Sequence, residues 1–301
     1  MTDPAADTSG ASEVRPGQRR DQIPKTPRRR HVRQAQRAAV LVQRRRQSRY
    51  AMVYDTRGPK VRLGFSWFVA VAGAVLLEVS GYGLWALAVL YAAVAGVAGL
   101  QTARAWSVRR EHPNVIVAGV AAAAAPLGAM LNTGLAGVAV VGLAVASIGA
   151  ALLERSVGRD PVVDAGFTVR CGLFAGLAAT SVVLVAREEI GAAIALLALV
   201  SMYEMGDFLV GSGSANAFEG PIAGMVGVAA LSFGLSVIVP PPFTDPAQVL
   251  LFGGLVALMA PIGQLAASAI LPRSGSHAPA LRRVDSLIVV GPVWLTLLWL
   301  T

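Results

Sequence analysis

Few residues of this chain are ionisable once the apolar part begins, and those few are where chemistry can sit. Within or beside apolar stretches stand Glu78, Arg170, Glu204, Asp207, Glu219 and Asp285. Charged side chains in membrane helices are costly, and they mark functional positions by default. Glu204 and Asp207, in "MYEMGDFLVG", are three residues apart, which puts both carboxylates on one helix face. Glu219 opens the next apolar stretch in "FEGPIAG", and Asp285 opens the last in "VDSLIVV". Four acids therefore gather at one end of three expected helices. Such an oxygen-rich set suits Mg²⁺, which takes one or two carboxylates plus substrate phosphates. The expected metal ligands are Asp285, Glu204, Asp207 and Glu219. The same acids also have a structural use, since an acid at a helix start suits the helix dipole and the others can pair with loop arginines. Glu78 is close enough to an outer helix end to reach the interface. Arg170 can snorkel from an inner end or neutralise a carboxylate.

The elements that must carry these residues are membrane helices. The chain has 301 residues, 55% hydrophobic and 14% charged, with mean hydropathy +0.61. A soluble domain is charged at about a quarter of its positions. Apolar stretches near 63–80, 83–103, 113–130, 133–153, 167–186, 190–211, 220–239, 247–270 and 286–301 read as nine spans. Most approach the roughly 20 residues needed to cross the hydrocarbon. The expected fold is all-α and polytopic, with a transmembrane domain over 62–301. Runs of Gly and Ala, as in "VAGVAAAAAPLGAM", suit helices that pack backbone against backbone. The single cysteine, Cys171, excludes an internal disulfide and a cysteine-rich metal site, and reads as packing.

The last third of the chain carries a longer pattern. It reads "GQLAAS" at 263–268 and "SHAPALRRVDSL" at 276–287, with "EMGDFLVG" at 204–211 and "NAFEG" at 216–220 upstream. In this order, over about residues 195–295, these stretches resemble the phosphatidate cytidylyltransferase (CDP-diacylglycerol synthase) family. That family has G-D-L-x-E-S, then G-H-G-G-x-L-D-R-x-D-S-L, preceded by D-T-G-A-Y-x-x-G and K-K-T-W-E-G. Gly263, Leu265, Ser268, His277, Leu281, Arg283, Asp285, Ser286 and Leu287 match. The resemblance implies transfer of CMP from CTP to phosphatidate, giving CDP-diacylglycerol for phospholipid synthesis, with Mg²⁺ as cofactor. It implies catalytic roles for Asp285 and, in the place of the D-T-G acid, Glu204, with substrate contacts from His277, Arg283, Ser286 and Ser268. Asp207, where the family has a small residue, reads as a new catalytic carboxylate beside Glu204, and Arg282 as an added substrate contact. The departures fall on charged positions. Gln264 and Ala267 stand where the family has Asp and Glu, Arg282 replaces an Asp, and Glu204 replaces the Asp of D-T-G. "AILPRSG" is all that remains of a segment that brings the family two lysines and an aspartate. One group of this kind is worth about 3 kcal/mol in related chemistry, so an inactive relative that binds lipid headgroups or a partner is the alternative. A small-solute transporter is the third reading; it lacks a helix broken in mid-span or an inverted repeat.

Charge sets the orientation. The first 62 residues hold 16 of the 26 lysines and arginines and 5 of the 17 acids. Residues 1–61 read as a disordered basic tail, with 33–50 able to form a short basic helix against an anionic leaflet. Each basic residue there is worth about 1 kcal/mol. Nucleic acid is not an expected partner, since no folded basic module accompanies the charge. A homodimer is allowed. Arg104, Arg109, Arg110, Arg155, Arg159, Arg273, Arg282 and Arg283 fall in loops on the tail's side, against Arg187 on the other. The positive-inside rule then places the tail in the cytoplasm, the C-terminus outside, and the chain in the inner (plasma) membrane. A reporter fused after Ser276 is expected to be cytoplasmic and one after Thr244 extracytoplasmic. Both reporters on one side would remove this orientation.

Overall fold

The structure, a computed structural model, describes residues 57–109, 111–154, 160–211, 216, 218–273 and 276–300. Side chains are described from Phe65 onward, except those of Glu78 and Val79. The expected tail up to position 56, with its basic helix over 33–50, lies outside the described residues, as does the Glu78 side chain. Among the described residues there are nine α-helices and no strand. They are α1 (Arg57–Leu76), α2 (Gly83–Ser107), α3 (Val115–Leu131), α4 (Thr133–Leu153), α5 (Pro161–Glu188), α6 (Ile190–Gly211), α7 (Glu219–Ile238), α8 (Pro246–Ile270) and α9 (Leu287–Leu300). Two short 3₁₀ turns cover Leu77–Ser80 and Leu281–Arg283.

The polar breaks of the sequence are helix starts. Asn114, Asn132, Asp160 and Asp245 each accept a backbone N–H of the first turn through the side chain, at 2.7–2.9 Å. Pro161 and Pro246 follow two of these caps, where a missing N–H costs nothing. Each cap satisfies a donor that would otherwise be orphaned.

Six helices, α2 and α4 to α8, are long and apolar enough to cross a membrane, so this is a helical membrane protein. The other three expected spans are shorter. α3 and α9 have 17 and 14 residues, or about 26 and 21 Å of rise. The apolar part of α1 runs from Phe65 to Leu76.

The longest helix, α5, is the central one. It touches α2, α3, α4, α6 and α9, and 72% of its most apolar window is buried. α4, with 17% of its window buried, is peripheral. Small residues make these contacts close. A side chain on Gly99 of α2 or Gly172 of α5 would stand 2.6 or 2.7 Å from the Ala118 carbonyl oxygen of α3. The α6–α7 pair is equally tight. A Cβ on Gly206 would reach the Ala223 oxygen at 2.7 Å, and one on Gly224 the Tyr203 oxygen at 2.7 Å. Apolar solvation does little to drive helices together in lipid, so this fit is what joins them.

Two glycines of α7 separate packing from helix propensity. Gly224 faces Tyr203, whereas nothing lies within 4 Å of a Cβ on Gly234. Gly224→Ala is expected to destabilise the purified protein by about 1–3 kcal/mol through overpacking. Gly234→Ala is expected to be neutral or to stabilise by up to about 1 kcal/mol. Thermal unfolding in detergent gives both signs, and equal effects would exclude backbone contact as the joint between α6 and α7.

Candidate functional site

The site forms where α6 ends, α7 and α9 begin, and the last turns of α8 pass. Gly263 of α8 determines it. A Cβ there would lie 2.5 and 2.6 Å from the carbonyl oxygens of Asp285 and Ser286. Only a glycine lets the turn into α9 rest on α8 at that distance. The result is a deeply placed carboxylate, with Asp285 6% exposed and Ser286 fully buried.

Every oxygen of Asp285 faces an N–H. Its Oδ1 accepts the Ser286 backbone N–H at 2.8 Å, and its Oδ2 lies 3.5 Å from Arg282 Nη1. The same Nη1 donates to Ser268 Oγ of α8 at 3.1 Å. Burial pushes the Asp285 carboxyl up, to about 6, against the pull of Arg282 and the Ser286 amide. Its Oδ2 is paired with a guanidinium.

Asp207 and Glu204 stand beside this pair, both partly buried. Gln264 Nε2 donates to Asp207 Oδ2 at 3.2 Å, and Tyr203 Oη approaches Gln264 Oε1 at 3.4 Å. Glu204 feels the charges of Asp285, Arg283 and Asp207, with Ser286 and the buried Tyr91 next to it. The four stretches carrying the resemblance thus meet at one place, with Gly211 of the first against Gly220 of the second.

The other two expected members are Glu219 and His277. Glu219 accepts Asn216 Nδ2 at 2.8 Å at the start of α7. His277 is exposed. The expected Mg²⁺ fits poorly. Among the described residues no three His, Cys, Asp or Glu side chains stand close enough to hold an ion. Gln264 presents an amide N–H where the resemblance implies an acid, and Arg282 already occupies the open side of Asp285.

The segment carrying Arg282 and Arg283 is anchored at its start and its middle. Trp106 Nε1 donates to the Ile270 carbonyl at 2.8 Å, Arg109 to Pro272 at 3.1 Å, and Arg170 to Ala269. These are carbonyls at the α8 C-terminus, where cations and donors are favoured. Arg170 also lies 5.3 Å from the Trp106 ring centre, a stacking that suits guanidinium. So Arg170 caps a helix instead of neutralising one of the acids. Further along, Ala280 donates its backbone N–H to Gln101 of α2 at 3.0 Å. Neither Trp106 nor Gln101 belongs to a matched motif, though a glutamine inside an apolar helix was a legible signal.

Beside this segment a groove of about 410 Å³ opens between α1 and α2. Trp67, Ala70, Val94 and Val97 form apolar walls, and Gln101 and Arg283 form the polar end. Among the described residues Arg283 has no side-chain hydrogen bond or ion pair, although it is only partly exposed. Its side chain lines the end of the groove, and its charge acts on Glu204.

Trp106→Phe keeps a ring under Arg170 and removes the donor to Ile270. It is expected to speed amide exchange over residues 271–283 while lowering overall stability by only about 1–3 kcal/mol. Unchanged exchange there would show that other contacts hold the segment.

Comparison with known proteins finds no matching family model, no matching curated protein and no matching solved structure.

Proposed function

We propose that this chain is a phospholipid-binding membrane protein of the cytidylyltransferase pattern, taking an anionic lipid of the phosphatidate kind. The observation that carries this reading is the groove between α1 and α2, apolar along its walls and ending at Arg283. A lipid has the same two parts, a chain to lie on Trp67, Val94 and Val97 and a phosphate to meet a guanidinium. Arg binds phosphate through paired, charge-assisted hydrogen bonds, which are about twice as strong as neutral ones. In this reading α1, α3 and α9 also cross the bilayer, giving nine spans. The tail's side is cytoplasmic, and the site meets the inner leaflet of the plasma membrane.

A second reading keeps cytidylyl transfer at the same place: CTP and phosphatidate give CDP-diacylglycerol and pyrophosphate. What favours it is the meeting of all four motif-bearing stretches around Asp285, Glu204 and Asp207. What opposes it is the scarcity of cations to neutralise a nucleotide triphosphate, since catalysis of this kind rests on such neutralisation.

Native mass spectrometry of the full chain in detergent is expected to retain phosphatidate over phosphatidylcholine. Arg283→Gln is expected to weaken phosphatidate retention by tenfold or more and to leave phosphatidylcholine unchanged. Retention indifferent to headgroup charge would overturn the lipid reading. Radiolabelled CTP supplied with phosphatidate and Mg²⁺ or Mn²⁺ tests the second, and labelled CDP-diacylglycerol above the level of an Asp285→Asn variant would establish it.

A further inference from the structure

We infer that Arg282 is a resident cation that takes the place of a divalent metal among the acids of this site. The inference concerns the acid cluster and stands whether or not the groove binds lipid. Glu204, Asp207 and Asp285 come together in a mostly apolar bundle, with Asp207 meeting Gln264 of α8 next to Gly263, on which the turn carrying Asp285 rests. Such a set needs positive charge or donors, and this chain supplies both from its own side chains. Arg282 Nη1 bridges Ser268 Oγ at 3.1 Å and Asp285 Oδ2 at 3.5 Å. The Gln264 amide gives Asp207 an N–H at 3.2 Å, and the Ser286 backbone gives Asp285 another at 2.8 Å. Arg283 adds the second nearby positive charge, acting on Glu204.

Little is left for an ion. Mg²⁺ demands near-octahedral oxygen at about 2.0–2.1 Å and keeps several of its waters. Asp285 is 6% exposed and its outward oxygen faces the guanidinium, so a hydrated ion would have to expel Arg282. Two positive groups cannot share that position without strong repulsion. The Arg282 side chain is held in place from α8 through Ser268, so it is fixed where it neutralises Asp285 instead of sweeping through solvent. Removing it should open Asp285 to a divalent ion, which needs only one or two carboxylates beside its waters.

Mn²⁺, visible by electron paramagnetic resonance, is the probe, titrated into the detergent-purified full chain at neutral pH. Wild type is expected to bind no Mn²⁺ that Asp285→Asn abolishes, and its melting temperature is expected to be the same in Mg²⁺ and in EDTA. Arg282→Ala and Arg282→Gln are expected to gain a Mn²⁺ site at least tenfold tighter than any in wild type, lost again when Asp285→Asn is added. Two outcomes overturn the inference. One is a wild-type Mn²⁺ site lost on Asp285→Asn, which needs no Arg282 variant. The other is a folded Arg282→Ala or Arg282→Gln protein that binds Mn²⁺ no better than wild type. Phosphatidate retention by wild type is read separately, so failure of the lipid reading leaves this result intact.

Discussion

The site depends on the contact between Gly263 and the backbone of the turn into α9. Two carbonyl oxygens lie where any Cβ on α8 would have to be. The turn can be this close because position 263 has no side chain, and the closeness is what sinks Asp285 between helices. Ser268 lies five residues further along α8, near the same end, and so comes within reach of Arg282. One missing methyl group therefore sets the depth of the carboxylate and the identity of its partner. The same device recurs at Gly206 and Gly224, which bring α6 and α7 together backbone against backbone. In lipid this close fit substitutes for the hydrophobic drive that assembles soluble cores.

Burial at that depth has an electrostatic cost that the neighbouring residues offset. Two opposite unit charges 4 Å apart attract by about 4 kcal/mol at an effective dielectric constant near 20. The Arg282–Asp285 distance is 3.5 Å, but the arginine side chain is 32% exposed, and solvent screening takes part of that away. The pair is therefore worth less than the bare figure, yet breaking it would leave a buried, unpaired carboxylate, the more costly state. Gln264 acts in the same direction at lower strength. A carboxylate in its place would set another acid against Asp207 and offer it no N–H. The amide instead donates to Asp207 and accepts from Tyr203. Arg282 and Gln264 both give N–H groups to these acids and so lessen the need for a metal.

Much of this was legible in the sequence, because apolar run length and polar punctuation are local properties. The polar breaks at Asn114, Asn132, Asp160 and Asp245 became capped helix starts, and the helix boundaries fall close to the expected ones. The three-residue spacing of Glu204 and Asp207 placed them on one face beside Asp285 as expected. Less legible was what depends on partners distant in the chain. The role of Arg170 required knowing that the C-terminus of α8 lies against Trp106. Glu219 looked like a fourth member of the cluster because it opens a neighbouring helix. Its side chain is met by Asn216, a local pairing that helix order alone does not reveal. The count of spans also depends on more than hydropathy, since α3 and α9 are apolar throughout yet shorter than the six long helices.

The two adjacent arginines of the 3₁₀ turn Leu281–Arg283 divide the work between them. Arg282 turns toward α8 and is used up by Ser268 and Asp285. Arg283, one residue on in the same 3₁₀ turn, lies at the end of the groove lined by α1 and α2. A 3₁₀ turn rotates successive side chains by about a third of a circle, so adjacent residues must face different surroundings. The segment that carries them is fixed from three directions: by Trp106 and Arg109 at its start, by Gln101 in its middle and by Gly263 at its end. Neither arginine can then exchange places with the other without moving a helix end. Charge neutralisation inside the bundle and presentation of positive charge to the groove are thus separated by geometry, although the two residues are identical in chemistry. That separation is why the acids can be satisfied internally while one guanidinium still faces outward.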